Sequence, residues 1–396
     1  MQILRIDIAI IGGGITGLWS LNQLRDRGYS AALFESEALG AGQTIASQGM
    51  IHGGMKYALG GAWSGGSEAI AAMPDAWRAC LAGEGDVDLR GCRVLADSVH
   101  LWSGGTPLPR LATLLASRLL RGSVERVARE DYPFPLQHPD FAGQVYRLAD
   151  LVLDVPSLLT TLASRHREAL FRVDWREAQL VNNGGRAELQ LPGCRLQPER
   201  LLLAAGAGTR ELIAALGGSR PAMQCRPLQQ VLVRHGYRQP LFGHCMGGNP
   251  SPRVTVSTHH TAAGEPLWYL GGDLATEGAD EEPQRLIDRA RRELAGLLPW
   301  VDLGPSEWRT LRLDRAEPRQ SALLRPDRAF VGEVDSVDNA LVAWPTKLSL
   351  APDLGSEVQR QLAAAAVLPR HKPDLSPLAG MGRPAIAEPC WEALFR

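Results

Sequence analysis

Apolar positions recur with a period near two in some stretches of this chain and near 3.6 in others, and its opening stretch holds both patterns. Ile6, Ile8, Ile10 and Ile11 make a nearly continuous β-branched run, which predicts a strand buried on both faces of a parallel sheet. Leu18, Leu21 and Leu24 follow at helical spacing, and Gly28 suits the helix end. A second apolar strand over 31–34 ends in Glu35. Positions 201–205 read as a buried strand that leads through a small-residue turn into a helix reaching Leu216. Alternation around 229–233, 254–257 and 267–270 predicts strands of a second sheet, and 282–298 predicts a helix stopped by Pro299. Positions 340–343 give another strand, with a helix after Pro352, and the proline-spaced tail 369–389 reads as extended surface chain.

Between the first strand and the first helix lies Gly12-Gly13-Gly14-Ile15-Thr16-Gly17. Each glycine has a mechanical task in a dinucleotide cradle. Gly12 allows the tight turn, Gly14 lets a phosphate approach the backbone, and Gly17 lets helix and strand pack closely. The free N–H groups and the positive dipole end of the helix then face a pyrophosphate. Glu35, 18 residues past Gly17, is spaced to accept hydrogen bonds from both hydroxyls of an adenosine ribose. Its charge argues against a phosphorylated ribose. An NAD dehydrogenase would continue into a further βαβ unit. Here small and hydroxylated residues follow instead, from Gly40-Ala41-Gly42-Gln43-Thr44 to Ala46-Ser47-Gln48-Gly49-Met50-Ile51-His52-Gly53-Gly54-Met55-Lys56-Tyr57.

This succession resembles the D-amino-acid oxidase superfamily of FAD-dependent oxidoreductases, which includes glycine oxidase, sarcosine oxidase, L-2-hydroxyglutarate dehydrogenase and glycerol-3-phosphate dehydrogenase. The stretch from Ile51 to Tyr57 is most similar to the last two. Leu201 to Thr209 is similar to the strand that passes near the FAD pyrophosphate, and Arg325 to Gly332 to the strand entering the ribityl region. Trp344-Pro345-Thr346-Lys347-Leu348-Ser349 occupies the turn that faces the flavin pyrimidine in relatives. There the family turn is rich in Gly, Ser and His, a departure that leaves open which of the family's substrates this chain takes.

The resemblance implies an α/β fold: a Rossmann-like FAD-binding domain of the second glutathione-reductase type, with a mixed-sheet α+β substrate domain. The FAD-binding part would comprise residues 1–75, 150–220 and 306–396 with the C-terminal tail, and the substrate domain 76–149 and 221–305. FAD contacts are implied at Gly12, Gly13, Gly14, Ile15, Thr16, Gly17, Glu35 and Ser36. The following loop would add Gln43, Thr44, Ser47, Gln48, Gly49 and Met50. Later contacts would come from Ala205, Gly206, Gly332, Thr346, Lys347, Leu348 and Ser349.

Hydride transfer needs a donor C–H set over flavin N5 and positive charge near the reduced ring. Lys347, just before a helix start, is the candidate for that charge. A cation ~4 Å from an anion at an effective dielectric of ~20 interacts by about 4 kcal/mol before desolvation. His52 is the candidate acid/base group, since histidine exchanges protons near neutral pH. Covalent and non-covalent FAD both remain open, because some relatives attach FAD to a histidine in this region. Arg319 is the candidate clamp for a substrate carboxylate, as in amino-acid-oxidising relatives, with Arg315 or a structural ion pair as alternatives. Tyr269 is a further pocket candidate. His244, His259 and His260 read as surface or structural histidines.

Composition narrows the classes. The chain of 396 residues fits two domains. Its 45% hydrophobic and 21% charged residues are those of a globular protein. A formal net charge of −1 gives no field for nucleic acid. Lys56, Lys347 and Lys372 are its lysines. Six scattered cysteines without a CxxC pair argue against metal ligation and a redox pair, and suit a reducing compartment. With no signal-peptide pattern and no apolar run of ~18 residues, the expected location is cytoplasmic. The reading is a flavin dehydrogenase or oxidase for a small amino acid, hydroxy acid or polyol phosphate, reoxidised by oxygen or a quinone. Alternatives are a tRNA-modification flavoprotein, a non-catalytic FAD-binding sensor or scaffold, and an NAD-only dehydrogenase.

Overall fold

The computed structural model describes residues 2–53, 69–104, 124–249, 251–319 and 328–396. Strand β1 (Gln2–Ile11) runs parallel to β2 (Ala31–Glu35) on one side and to Cys194–Leu203 on the other. Alternate residues therefore meet different cores. Ile8 and Ile10 join Leu18, Leu21 and Leu24 of helix α1 (Ile15–Asp26), while Ala9 and Ile11 join Phe34, Leu201 and Leu203. Both faces being buried explains why the strand is apolar almost throughout rather than alternating. Each fully buried leucine of α1 stabilises the fold by about 1.5–3 kcal/mol.

Leu170–Arg172 extends this sheet beyond β2. On the other side Cys194–Leu203 changes partner along its length. Its first residues pair with Arg186–Leu191 of an antiparallel hairpin, and Leu201 to Leu203 pair in parallel with Ala340 to Val342. Phe330–Glu333 closes that edge against Ala340–Trp344.

The second sheet is mixed. Its order is Glu307–Pro318, Met223–Arg234, Pro266–Gly271, Pro252–His260, Gly243–Met246, Val99–Ser103, Val145–Leu148 and Val124–Arg126. Gly243–Met246 and Val99–Ser103 form its parallel pair. One face is covered by helix Pro283–Leu297, whose Leu286, Ile287, Ala290, Leu294 and Leu297 form an apolar stripe against Val231, Val233, Val254 and Trp268. The fold is thus the α/β architecture expected, a Rossmann-like sheet with a second mixed sheet. Glu307–Pro318, in a stretch expected to belong to the FAD-binding part, pairs residue for residue with Met223–Arg234 of the second sheet. The Gly54–Tyr57 end of the His52 stretch and the Arg325–Asp327 start of the ribityl-region segment lie outside the described residues.

A small sheet of Met50–Ile51, Leu151–Leu153 and Val94–Ala96 links the two large ones. The tail is fastened rather than merely laid on the surface. Buried Asp7 accepts from the N–H groups of Arg370 and His371, each at 3.1 Å, and from Ser30. Ala385–Ile386 then pairs in parallel with Ala38–Leu39, and Cys390–Leu394 forms a last short helix on the second sheet. Among the described residues, no helix is long and apolar enough to cross a membrane.

The second sheet encloses histidines that the fold keeps neutral. Burial, with His260 adjacent, pushes His259 from 6.5 down to about 3, and burial pushes His235 down to about 4. The unfolded chain protonates both near its ordinary value, so between those values it binds more protons than the native state. Their contribution to stability is full above pH 6.5 and is lost progressively as the pH falls toward 4. Urea unfolding should therefore show a lower midpoint at about pH 5 than at about pH 7, with His259→Gln flattening part of the difference. Equal midpoints at the two pH values would contradict this.

Candidate active site

A cleft of about 1580 Å³ lies where the carboxyl ends of the parallel strands meet the second sheet's other face. Its first wall is the turn after β1. Gly12 sits at φ +111°, and a Cβ there would lie 2.5 Å from the Ala204 carbonyl oxygen. Gly17 is enforced from the other side, since its Cβ would fall 1.9 Å from the Gly12 oxygen. Gly12, Gly13, Gly14, Ile15 and Thr16 line the cleft; Gly17 sits behind them and seats the helix on the turn. No side chain of the turn caps α1, and Thr44 Oγ1 accepts from Ile15 N–H at 3.0 Å instead. The remaining first-turn N–H groups have no partner within the helix.

Glu35 closes this end beside Ser36. Its two oxygens accept from Gly13 N–H at 2.5 Å and Glu37 N–H at 2.7 Å. A carboxylate offers about four acceptor positions, so both oxygens keep capacity for sugar hydroxyls. Trp175, Leu180 and Glu211 extend the wall past Ala205 and Gly206. No motif marks these three, which come from segments separate in sequence.

The middle is built by the loop Gln43, Thr44, Ser47, Gln48, Gly49 and Met50 and by the turn Thr346, Lys347, Leu348 and Ser349, all of which line the cleft. Gly49 is positioned by close approach, because at φ +71° its Cβ would lie 2.0 Å from the Leu153 oxygen. Thr346 adopts φ +62°, a conformation that costs a non-glycine residue about 1–3 kcal/mol. The hydroxyls of Ser47, Thr346 and Ser349 are buried and have no hydrogen-bond partner among the described residues. Three such hydroxyls on one cleft fit a ligand rich in acceptors and donors. Together with the glycine turn and Glu35, they fit a flavin dinucleotide.

The far end carries His52, Asp150, His244, Gln230 and Arg315. His52 follows the strand Met50–Ile51, and the next residue's N–H, Gly53, donates to Asp150 Oδ1 at 2.9 Å. His244 Nδ1 lies 2.8 Å from Thr255 Oγ1. His244 thus faces the cleft, although its sequence position suggests a surface or structural role. His259 is instead buried against Ser257, and His260 is exposed.

Besides Gly17, three expected site residues do not line the cleft. Arg319 is exposed just past Pro318, because the strand Glu307–Pro318 carries it beyond the cleft's edge; Arg315 reaches the cleft instead. Tyr269 is fully buried beneath the cleft floor, its hydroxyl 2.7 Å from the Ala46 carbonyl oxygen and 2.9 Å from Gln230 Oε1. Gly332 packs under the ring of Phe330, where a Cβ would lie 2.7 Å from a ring carbon. Asp150, Gln230 and Trp175 were missed, lone polar or aromatic residues without a spacing signal.

Comparison with known proteins identifies the family and its cofactor. The DAO family, described as FAD-dependent oxidoreductase, matches residues 7–343. A probable FAD-dependent oxidoreductase of Pseudomonas aeruginosa, PA4991, is 47% identical over 395 residues, covering 100% of this chain and 99% of that one. Its crystal structure aligns with a TM-score of 0.86 at 43% identity over 100% of both chains. Glycine oxidase from Geobacillus kaustophilus has a TM-score of 0.63 at 18% identity, over 95% of this chain and 98% of that chain. L-α-glycerophosphate oxidase from Mycoplasma pneumoniae, with FAD bound, has 0.64 at 14%, over 91% and 95%. At such identities these last two share the fold. The NAD-only alternative falls away, and the chain belongs to the DAO family of FAD-dependent oxidoreductases.

Proposed function

We propose that this enzyme oxidises a small polar molecule with an anionic group, a small amino acid, hydroxy acid or polyol phosphate, at the carbon bearing its amine or hydroxyl. The observation that carries this reading is the cleft's size and division. At about 1580 Å³ it exceeds the ~300–1,000 Å³ of a pocket for one small ligand. One part of its lining has the glycine turn and Glu35, leading to the three hydroxyls in the middle; the other has His52, Asp150, His244 and Arg315. That division supports a cofactor and a second, smaller molecule side by side.

FAD, when bound, supplies the acceptor for the two electrons removed with the C–H hydrogen. Gly12, Gly13, Gly14, Ile15 and Thr16 would hold its pyrophosphate, Glu35 and Ser36 its adenosine. Gln43, Thr44, Ser47, Gln48, Gly49, Met50, Ala205, Gly206, Thr346, Leu348 and Ser349 would hold the remainder. His52 takes the proton from the substrate hydroxyl or amine as the C–H bond breaks, leaving a carbonyl or an imine. Arg315, rather than Arg319, is the clamp, since it is the arginine lining the cleft among the described residues. Lys347 supplies positive charge beside the turn that carries Thr346. The names of the two distant relatives, an amino-acid oxidase and a glycerophosphate oxidase, support the range of substrates without choosing within it.

An anaerobic screen across amino acids, hydroxy acids and sugar phosphates tests the reading directly. The true substrate should bleach the bound flavin's visible absorbance; no bleaching by any member of the three classes would reject the proposed substrate range. With a substrate in hand, Arg315→Met should raise KM about ten- to a hundredfold, more than it lowers kcat, as expected for loss of a charged clamp. His52→Asn should lower kcat about 10²–10⁴-fold and remove one limb of the pH profile. An unaltered pH profile in His52→Asn would remove that residue from the mechanism.

A further inference from the structure

The cofactor loop is tied to the very end of the chain through a buried network under the cleft floor. Tyr269 stands at its centre. Its hydroxyl donates to the carbonyl of Ala46, inside the loop, and has the Gln230 side-chain amide as a second partner. Its own carbonyl accepts from Gln48 Nε2 at 2.6 Å, and the same Gln48 amide lies 3.1 Å from Ser257 Oγ. Ser257 Oγ is 2.9 Å from His259 Nε2. Both rings, His259 and Tyr269, then meet Trp391 of the final helix, with centroids 5.0 and 6.5 Å away. Phe395 and Leu394 complete the apolar cluster around Leu232, Leu267 and Tyr269.

This arrangement holds the loop by its backbone at Ala46 and by its side chain at Gln48, on the two sides of Ser47, whose hydroxyl is one of the three without a protein partner. Burial, reinforced by the neighbouring Cys390 thiol, pushes the Tyr269 hydroxyl well above its ordinary value, so it remains a donor across the physiological range. The final helix and the chain leading into it are held in turn by both halves of the molecule. Arg309 donates to the Leu394 carbonyl at 3.0 Å, Glu392 accepts from Ala262 N–H at 2.7 Å, and Ala387 N–H donates to Leu39 at 2.9 Å.

We infer that Tyr269 is a positioning residue for the loop around Ser47, and that the last helix, through Trp391, sets how firmly this loop grips the cofactor. The inference rests on assigning Gln43–Met50 to FAD. Tyr269 does not line the cleft, so it acts through Ala46 and Gln48 and not by touching a ligand.

The test measures FAD affinity and the visible spectrum of bound FAD in full-length variants, alongside the Tm of each apoprotein. Tyr269→Phe keeps the ring and removes the hydroxyl's hydrogen bonds. It should raise the Kd for FAD about three- to tenfold, the effect of one net hydrogen bond, and alter the bound-flavin spectrum. Trp391→Ala should weaken FAD in the same direction, Trp391→Phe should restore it, and the double variant should be no weaker than the weaker single one. If Tyr269→Phe fails to fold, the Trp391 pair decides. A Kd within about twofold of the parent in Tyr269→Phe, or a lowered Tm in Trp391→Ala with unchanged FAD affinity, would overturn the inference. Weakening by Ser47→Ala without weakening by Tyr269→Phe would overturn positioning alone. No weakening by either would overturn the assignment of the loop to FAD.

Discussion

The approach of α1 onto the turn after β1 governs the geometry of everything around it. Gly17 lies against the Gly12 carbonyl so closely that a single methyl group would have to occupy the oxygen's place. That contact sets where the helix begins, and so where its unpaired N–H groups point. It also sets the height of the turn relative to Ala204, which passes on the opposite side. Thr44 reaches over to accept from Ile15, and Gly40 N–H donates to Gly13, so the second loop is registered on the first. The glycine-turn end of the cleft is therefore a set of closely packed backbone surfaces, where side chains contribute mainly by their absence.

The two ends of the cleft are made differently. The glycine turn, β2 and Glu35 are contiguous in sequence, so their geometry follows from local rules. The opposite end is assembled from strands of the mixed sheet and from the small linking sheet, and its functional groups owe their positions largely to pairings between separate segments. His52 is oriented by the pairing of Met50–Ile51 with Leu151–Leu153, and Asp150 immediately precedes that partner strand. His244 depends on the register of Gly243–Met246 against Pro252–His260. A chain can thus keep its cofactor end while altering the far end by small changes of strand register, which suits a fold shared by oxidases named for different substrates.

That difference also decides what could be read from sequence. Ile6 to Glu35 was legible as strand, turn, helix and strand because period, glycines and acid all lie within one local unit. The strands near 229, 254 and 267 were legible as alternation, and the helix Pro283–Leu297 as periodicity with a stop signal. What alternation does not reveal is where a strand ends and what lies above it. Arg319 reads as a cleft residue in the sequence because no local signal marks Glu307–Pro318 as a strand of twelve residues that runs past the cleft's edge. Tyr269 has the apolar neighbours of a pocket residue, and only the layer above it, the Ala46 loop, makes it buried support. Asp150 carries no spacing signal because its partner Gly53 lies far away in the chain, and His244 because its strand is set beside the distant Val99–Ser103.

The fastening of the tail at Asp7 has a consequence for synthesis. This carboxylate is fully enclosed, and two of its hydrogen-bond donors belong to Arg370 and His371. A buried carboxylate short of donors is costly, so β1 reaches its final surroundings only once Arg370 and His371 are in place. Its central neighbour, Cys194–Leu203, arrives midway, and the Ala340–Trp344 strand beyond that arrives late. The first sheet therefore joins strands made at widely separated times, and apolar β1 lacks a central partner until Cys194–Leu203 follows, an interval in which an unpaired strand is open to association with other chains.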